Sequence, residues 1–128
     1  MSKQQKTLAE KWGIIPWLKI RIDRDPEYLS ALVTPLCDDN KFVTQGVCDL
    51  AFVAQTSAAE WKQKARRLRP AIDPDGVIWV VYPKEEFREK YHFDGSLTEM
   101  VEIVKALGLR QTKLVSVSNE LTSARFSL

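Results

Sequence analysis

The segment DPDGVIWVVYPK, from Asp73 to Lys84, constrains the fold more than any other stretch of the chain. Its centre, Val77 to Tyr82, shows no alternation of polar and apolar residues. A strand packed on one face alternates, whereas a strand covered on both faces does not need to. A buried helix is the competing reading. Three valines, one isoleucine and two aromatics in six residues favour a strand. The run is therefore expected to be a central parallel strand with helices on both sides. The DPDG before it reads as a turn, with Gly76 at a position that tolerates positive φ.

The flanking segments supply the partners such a strand needs. In LKIRI, Leu18, Ile20 and Ile22 share one face and Lys19 and Arg21 the other, as in a half-buried strand near a sheet edge. Asp25 and Pro26 then read as N-cap and first helical residue. The helix they open carries Leu29, Leu32, Val33 and Leu36. Residues 38–46 admit either a loop or a short strand at Phe42 to Thr44. Cys48 to Ala54 is a second clear strand. Ser57, with Glu60 three residues on, forms a capping box for a helix whose buried stripe is Trp61, Ala65 and Leu68. Ser96 and Glu99 repeat that signal before Leu97, Met100, Val101, Val104 and Leu107, and Gly108 closes the helix. Thr112 to Ser118 and Thr122 to Leu128 are strands joined by a short turn, hence an antiparallel hairpin. The expected architecture is a single α/β domain over residues 1–128. It is a three-layer sandwich with a mainly parallel sheet of about five strands and a C-terminal antiparallel hairpin.

The chain of 128 residues is long enough to bury one core without staples. A net charge of +2 gives no global argument for nucleic acid. Lys62, Lys64, Arg66, Arg67 and Arg69 crowd one helix, but they fill the positions left by its apolar stripe and no aromatic platform is interleaved. Nucleic-acid binding through that helix is the minority reading. Cys37 and Cys48 do not make a Cys-x-x-Cys pair, so buried thiols in a reducing cytoplasm are expected. The N-terminal segment has no apolar core of a secretory signal, and no run approaches a membrane span.

From Cys48 onward the layout resembles the C-terminal half of class I S-adenosylmethionine-dependent methyltransferases, a Rossmann-like fold. The matching segments are CDLAFVAQ, a helix, LRPAIDPDGVIWVVYPK, a second helix and the closing hairpin. The chain is more similar still to a group of small bacterial proteins of unknown function that read as shortened methyltransferase-like folds. It shares their GIxP start as GIIP (Gly13 to Pro16) and their GxxWVxYPK strand as GVIWVVYPK (Gly76 to Lys84). Their ending survives only as the shorter SARF (Ser123 to Phe126). The resemblance implies a last strand inserted inside the sheet. It also implies a Gly-rich cofactor loop after the first strand, where only glycine lets the backbone approach the ligand. The five glycines are Gly13, Gly46, Gly76, Gly95 and Gly108, and none follows that strand. DRDPEY stands there instead, so the cofactor site reads as absent and methyl transfer is not expected.

In open α/β sheets ligands bind beyond the carboxyl ends of the parallel strands. That rule selects Asp23, Arg24 and Asp25 after the first strand, Gln55, Thr56 and Ser57 after the second, and Tyr82, Pro83 and Lys84 after the third. Lys84 offers a positive charge to an anionic ligand, and the helix beginning near Ser57 offers free amides. Taken singly, Ser57 is an ordinary cap and Lys84 a solvated loop residue; as a cluster they mark the place to look. His92, the sole histidine, reads as a surface residue in a charged segment. No metal site is expected, and there is no Gly-x-Ser-x-Gly nucleophile elbow. The first reading is a non-catalytic domain on a methyltransferase-like scaffold. The alternative is a small anionic-ligand-binding protein or enzyme that uses the strand ends. The edge strand at Leu18 to Ile22 leaves room for pairing with a second copy, although Lys19 and Arg21 are what a guarded edge carries.

Overall fold

The computed structural model describes residues 6–23, 26–54 and 57–128. Six strands form one mixed sheet in the order β2-β1-β3-β4-β6-β5. They are β1 (Lys19–Ile22), β2 (Lys41–Phe42), β3 (Cys48–Ala54), β4 (Ile72–Pro83), β5 (Arg110–Ser116) and β6 (Leu121–Ser127). Strands β2, β1, β3 and β4 pair in parallel, and β6 runs antiparallel between β4 and β5. The helices are α1 (Leu8–Lys11), α2 (Glu27–Val33), α3 (Ala58–Leu68) and α4 (Leu97–Lys105).

The apolar run is explained by what covers it. Side chains at Ile78 and Val80 join Trp61, Ala65, Met100 and Val104 of α3 and α4 on one face of the sheet. Trp79 and Val81 join Trp12, Leu29 and Val33 on the other. Both faces of β4 are thus dry, and no polar residue is tolerated on either. The three-layer sandwich and the inserted last strand both stand as expected. The sheet exceeds the expected five strands because residues 38–46 contribute the two-residue β2, at Lys41–Phe42 rather than Phe42 to Thr44.

Two local readings are corrected. DPDG is not a free turn and Gly76 does not have positive φ; among the described glycines only Gly13, Gly46 and Gly108 do. The segment lies inside β4, where Cys48 pairs with Ile72 and Leu50 with Val77, so four residues of β4 bulge against Asp49 alone. Glycine is required here for room. A Cβ on Gly76 would sit 2.8 Å from the Asp49 carbonyl oxygen and 2.9 Å from Ile72 Cγ2. The second correction concerns Pro26. It occupies the N-cap of α2 in extended backbone, with no side-chain cap bond, rather than the first helical position. Asp25 lies outside the described residues.

Ser57 and Ser96 behave as read, each accepting a bond from the amide of the glutamate three residues on, at 3.2 Å. Gly108, at φ 77°, ends the turn after α4 in the left-handed region that glycine enters freely. Both cysteines are free and buried, and burial pushes both thiols up.

The bulge yields a test. Gly76→Ala puts a methyl group against a backbone carbonyl that cannot swing away. The expected loss is about 1–3 kcal/mol, the usual cost of forcing extra volume into a packed site. Urea unfolding monitored by tryptophan fluorescence measures it. An alanine variant as stable as the parent would mean that the bulge is not tightly packed.

Candidate functional site

A cavity of about 310 Å³ opens on the α3 side of the sheet, at the carboxyl ends of β1 and β2. Its position follows from how far the helical layer extends. Helix α3 packs its buried stripe onto β3 and β4. The polar face of β1, carrying Arg21, is left as a floor beside Ala51 and Val53. Val43 and Thr44 after β2 form one wall, and Arg67 and Leu68 of α3 the other.

Asp23, immediately after β1, closes the inner end. Its amide donates to the Phe52 carbonyl at 2.9 Å, extending the β1–β3 ladder by one residue. Its carboxylate meets the ammonium of Lys64, with Oδ2 at 2.6 Å from Nζ. Among the described residues that ion pair is the contact Oδ2 makes; the atom is buried and has no hydrogen bond. Lys64 also contacts Glu60 at 2.8 Å and donates to the Ala54 carbonyl at 2.9 Å. With side chains only 11% and 18% exposed, Lys64 and Asp23 form a largely desolvated pair, in which removing either partner is costly.

The guanidinium groups are in a different condition. Neither Arg21 nor Arg67 has a carboxylate or hydrogen-bond partner among the described residues, and both line the cavity. Lys64 is shared between Asp23 and Glu60, while Arg21 and Arg67 bring two positive charges to the cavity wall with no carboxylate partner among the described residues. Guanidinium presents a planar fork of donors suited to carboxylate and phosphate.

Of the residues expected at the strand ends, Asp23 belongs to this cavity. Arg24, Gln55 and Thr56 lie outside the described residues. Ser57 caps α3 and forms an isolated bridge with Asp94. Tyr82 stacks on Phe93 at 5.8 Å, and the Lys84 amide donates to the Glu120 carbonyl. Among the described residues of the expected cluster, Ser57, Tyr82 and Lys84 do not line the cavity that Asp23 lines. Arg21, Thr44 and Arg67 were not singled out as ligand contacts. Arg67 is exposed, as the solvated helix face expects, and Arg21 is half-buried on the polar face of β1. That helix face is itself partly engaged, since Arg69 Nε donates to the Leu107 carbonyl at 2.8 Å.

A second polar group lies on the α2 side of the sheet. Glu120 accepts from Lys90 Nζ at 2.6 Å and from the Tyr91 hydroxyl at 2.7 Å, and these bonds pull its carboxyl below the usual range. The Tyr91 ring meets Tyr28 edge-on at 5.5 Å. Burial, then the neighbouring Tyr91 phenol, raises the Tyr28 hydroxyl to about 12. His92 sits at the end of this segment with φ 53°. Among the described residues no group of three or more His, Cys, Asp or Glu side chains is placed to hold a metal ion. No helix is long and apolar enough to cross a membrane.

No family model matches the chain, and no curated protein does. Solved structures do. A TehB-like SAM-dependent methyltransferase from Corynebacterium glutamicum superposes with a TM-score of 0.56 at 12% identity, over 92% of this chain and 84% of that one. The N-methyltransferase NodS from Bradyrhizobium japonicum gives 0.54 at 14% identity, over 87% and 86%. LepI, solved in complex with SAM, gives 0.59 at 13% identity, over 94% of this chain but 39% of its own. The chain therefore has a shortened methyltransferase-like fold. At these identities the likeness extends to the fold alone.

Tyr28 generates a prediction about pH. Its raised folded value favours the neutral phenol in the native state. The contribution is complete below about pH 10, the unfolded value, and is lost as pH rises toward the folded one. Denaturant midpoints for the parent and Tyr28→Phe should differ by a constant below that range and converge or cross above it. Parallel curves through the alkaline limb would mean that Tyr28 ionises as freely folded as unfolded.

Proposed function

We propose that this chain is a small anion-binding domain on a methyltransferase-like scaffold, and that it does not transfer methyl groups. The observation that carries the reading is that two guanidiniums, the half-buried Arg21 and the exposed Arg67, line one cavity at the strand ends without a carboxylate partner among the described residues. An anion in that cavity would meet complementary charge from both.

The residues present do not fit S-adenosylmethionine. That cofactor carries a sulfonium, which two guanidiniums repel. Among the described lining residues the carboxylate that could offset it, Asp23, already faces Lys64. The glycines that would admit the cofactor's backbone approach are absent after β1, where the sequence continues DRDPEY. These points support retention of the scaffold without its chemistry.

Calorimetric titration separates the two possibilities. S-adenosylmethionine is expected to give no saturable heat. Inorganic phosphate is expected to shift the amide resonances of Arg21, Thr44 and Arg67 with a dissociation constant of roughly millimolar, about 4 kcal/mol of binding. The Arg21→Ala/Arg67→Ala double variant should lose that response while keeping its fold. Tight S-adenosylmethionine binding would falsify the proposal, and phosphate shifts that survive the double variant would move the anion site elsewhere.

A further inference from the structure

We propose that the tip of the loop from Gly13 to Trp17 docks a basic segment of a partner protein. The partner's apolar residues cover Ile15, Pro16 and Trp17, and its arginine or lysine meets Asp38 and Asp39. The surface lies at the amino end of β1, whereas the cavity lies at the carboxyl end, so the inference does not depend on the anion-binding reading.

Trp17 is 86% exposed, while Trp12, Trp61 and Trp79 are fully buried. Its φ of 76° lies in the left-handed region, where a bulky side chain is an outlier. Such a conformation persists only where the surroundings hold it. Here the Trp17 amide donates to the Asp39 carbonyl at 3.0 Å, and Asn40 Nδ2 donates to the Ile15 carbonyl at 2.7 Å. The chain therefore fixes, against backbone strain, an indole that adds little to its own core. Ile15, at 60% exposure, and the exposed Pro16 precede it directly. Large apolar side chains presented together at a surface mark an interaction site, and tryptophan is enriched among the residues that carry binding energy there.

Charge and size select the occupant. Ile15, Pro16 and Leu36 line a hollow of about 190 Å³ together with Asp38 and Asp39. Neither aspartate has a cation partner among the described residues. Glu27 and Asp38 line an adjoining groove beside α2, and from Glu27 to Asn40 the chain carries no lysine or arginine. Of the nearby cations, Lys19 and Lys41 pair in register and follow the pleat onto the α3 face with Arg21. Lys11 lines neither the hollow nor the groove. An acidic surface of this kind repels an anionic membrane. A second copy related by a two-fold axis would bring its own Asp38 and Asp39 against these. The hollow is smaller than small-molecule sites and takes a side chain. A lysine or arginine suits it, because the alkyl stem covers apolar surface while the charged head stays with the carboxylates.

Trp17 is its own reporter, since the other three tryptophans are buried and acrylamide quenching of the full chain reads the exposed indole. The probes are two acetylated, amidated peptides, Leu-Arg-Leu-Arg-Leu and Leu-Glu-Leu-Glu-Leu. The arginine peptide is expected to protect Trp17 saturably, with a dissociation constant of roughly millimolar. Salt should weaken it, because exposed charges are screened. The glutamate peptide is expected to give no protection. Asp38→Asn/Asp39→Asn should weaken the arginine peptide about fivefold, the worth of two exposed ion pairs, with an unchanged unfolding midpoint. Trp17→Gly should lose the peptide, read by amide shifts, and be at least as stable as the parent, because glycine enters the left-handed region freely. A less stable Trp17→Gly would make the indole a structural residue and overturn the proposal. Equal protection by the two peptides overturns the basic partner, and no protection by either overturns docking altogether. Protection that rises with protein concentration alone assigns the surface to a second copy. Protection by vesicles of phosphatidylcholine and phosphatidylserine assigns it to a membrane; either result overturns the proposal.

Discussion

The indole of Trp12 ties the beginning of the domain to its end. Its Nε1 donates to Ser123 Oγ at 3.0 Å, and Ser123 passes its own proton to the Val115 carbonyl at 2.8 Å. The Trp12 carbonyl in turn accepts from Trp79 Nε1 at 3.0 Å. Three elements distant in sequence, the turn after α1, the centre of β4 and the hairpin β5–β6, are thereby fixed to one another on the α2 side of the sheet. Each polar atom in the chain of bonds is buried, so leaving any one unmade would cost its full desolvation, about 1–3 kcal/mol. The ring stacks against Phe52 at 5.0 Å and Trp79 at 6.3 Å, so the same residue supplies apolar area as well as the link. On the opposite face Trp61 follows the same rule, packing on Phe126 and donating to the Met100 carbonyl at 3.0 Å.

Both faces are closed over β4 and over β3 beside it, so the cavity's floor is part of a packed strand. Ala51 and Val53 belong to the same strand whose other face carries Leu50, Phe52 and Ala54. The helical layer on the α3 side ends before β1, and the polar face of β1 is free to line a cavity. A site on strands holds its geometry better than one built on loops. Arg21 gains from this: it projects from a strand paired on both sides, with β2 and with β3.

The elements with a strong period were legible and those set by tertiary packing were not. The β4 run announced a doubly covered strand because dry faces admit no polar residue. The two Ser-x-x-Glu caps, at Ser57 and Ser96, marked helix starts because orphan amides need an acceptor at that spacing. The same spacing at Thr7 and Glu10 opens α1, and it was the available signal for the helix that delivers Trp12. Gly76 was misread because a glycine demanded by close approach and one demanded by positive φ look alike in sequence. The partner that crowds it, Asp49, lies on another strand. Arg125 sits on a strand inside the sheet without a carboxylate partner among the described residues: it lies over the Trp79 ring at 5.9 Å and donates to Thr112 Oγ1 at 2.8 Å.

The site was half legible for the same reason. The strand-end rule located Asp23, since a parallel sheet fixes where its loops emerge. It could not locate Arg67 or distinguish it from Lys64, which lies three residues earlier on the same basic helix. The two side chains nevertheless end in different surroundings. Lys64 turns inward, pairs with both Asp23 and Glu60 and donates to the Ala54 carbonyl, whereas Arg67 stays exposed at the cavity wall. Two basic residues one helical turn apart thus have different fates: the first is held by two carboxylates and a backbone carbonyl, and the second is left without a carboxylate partner among the described residues. Only the packing of α3 against the end of β1 separates them, and a run of basic residues in sequence carries no trace of it.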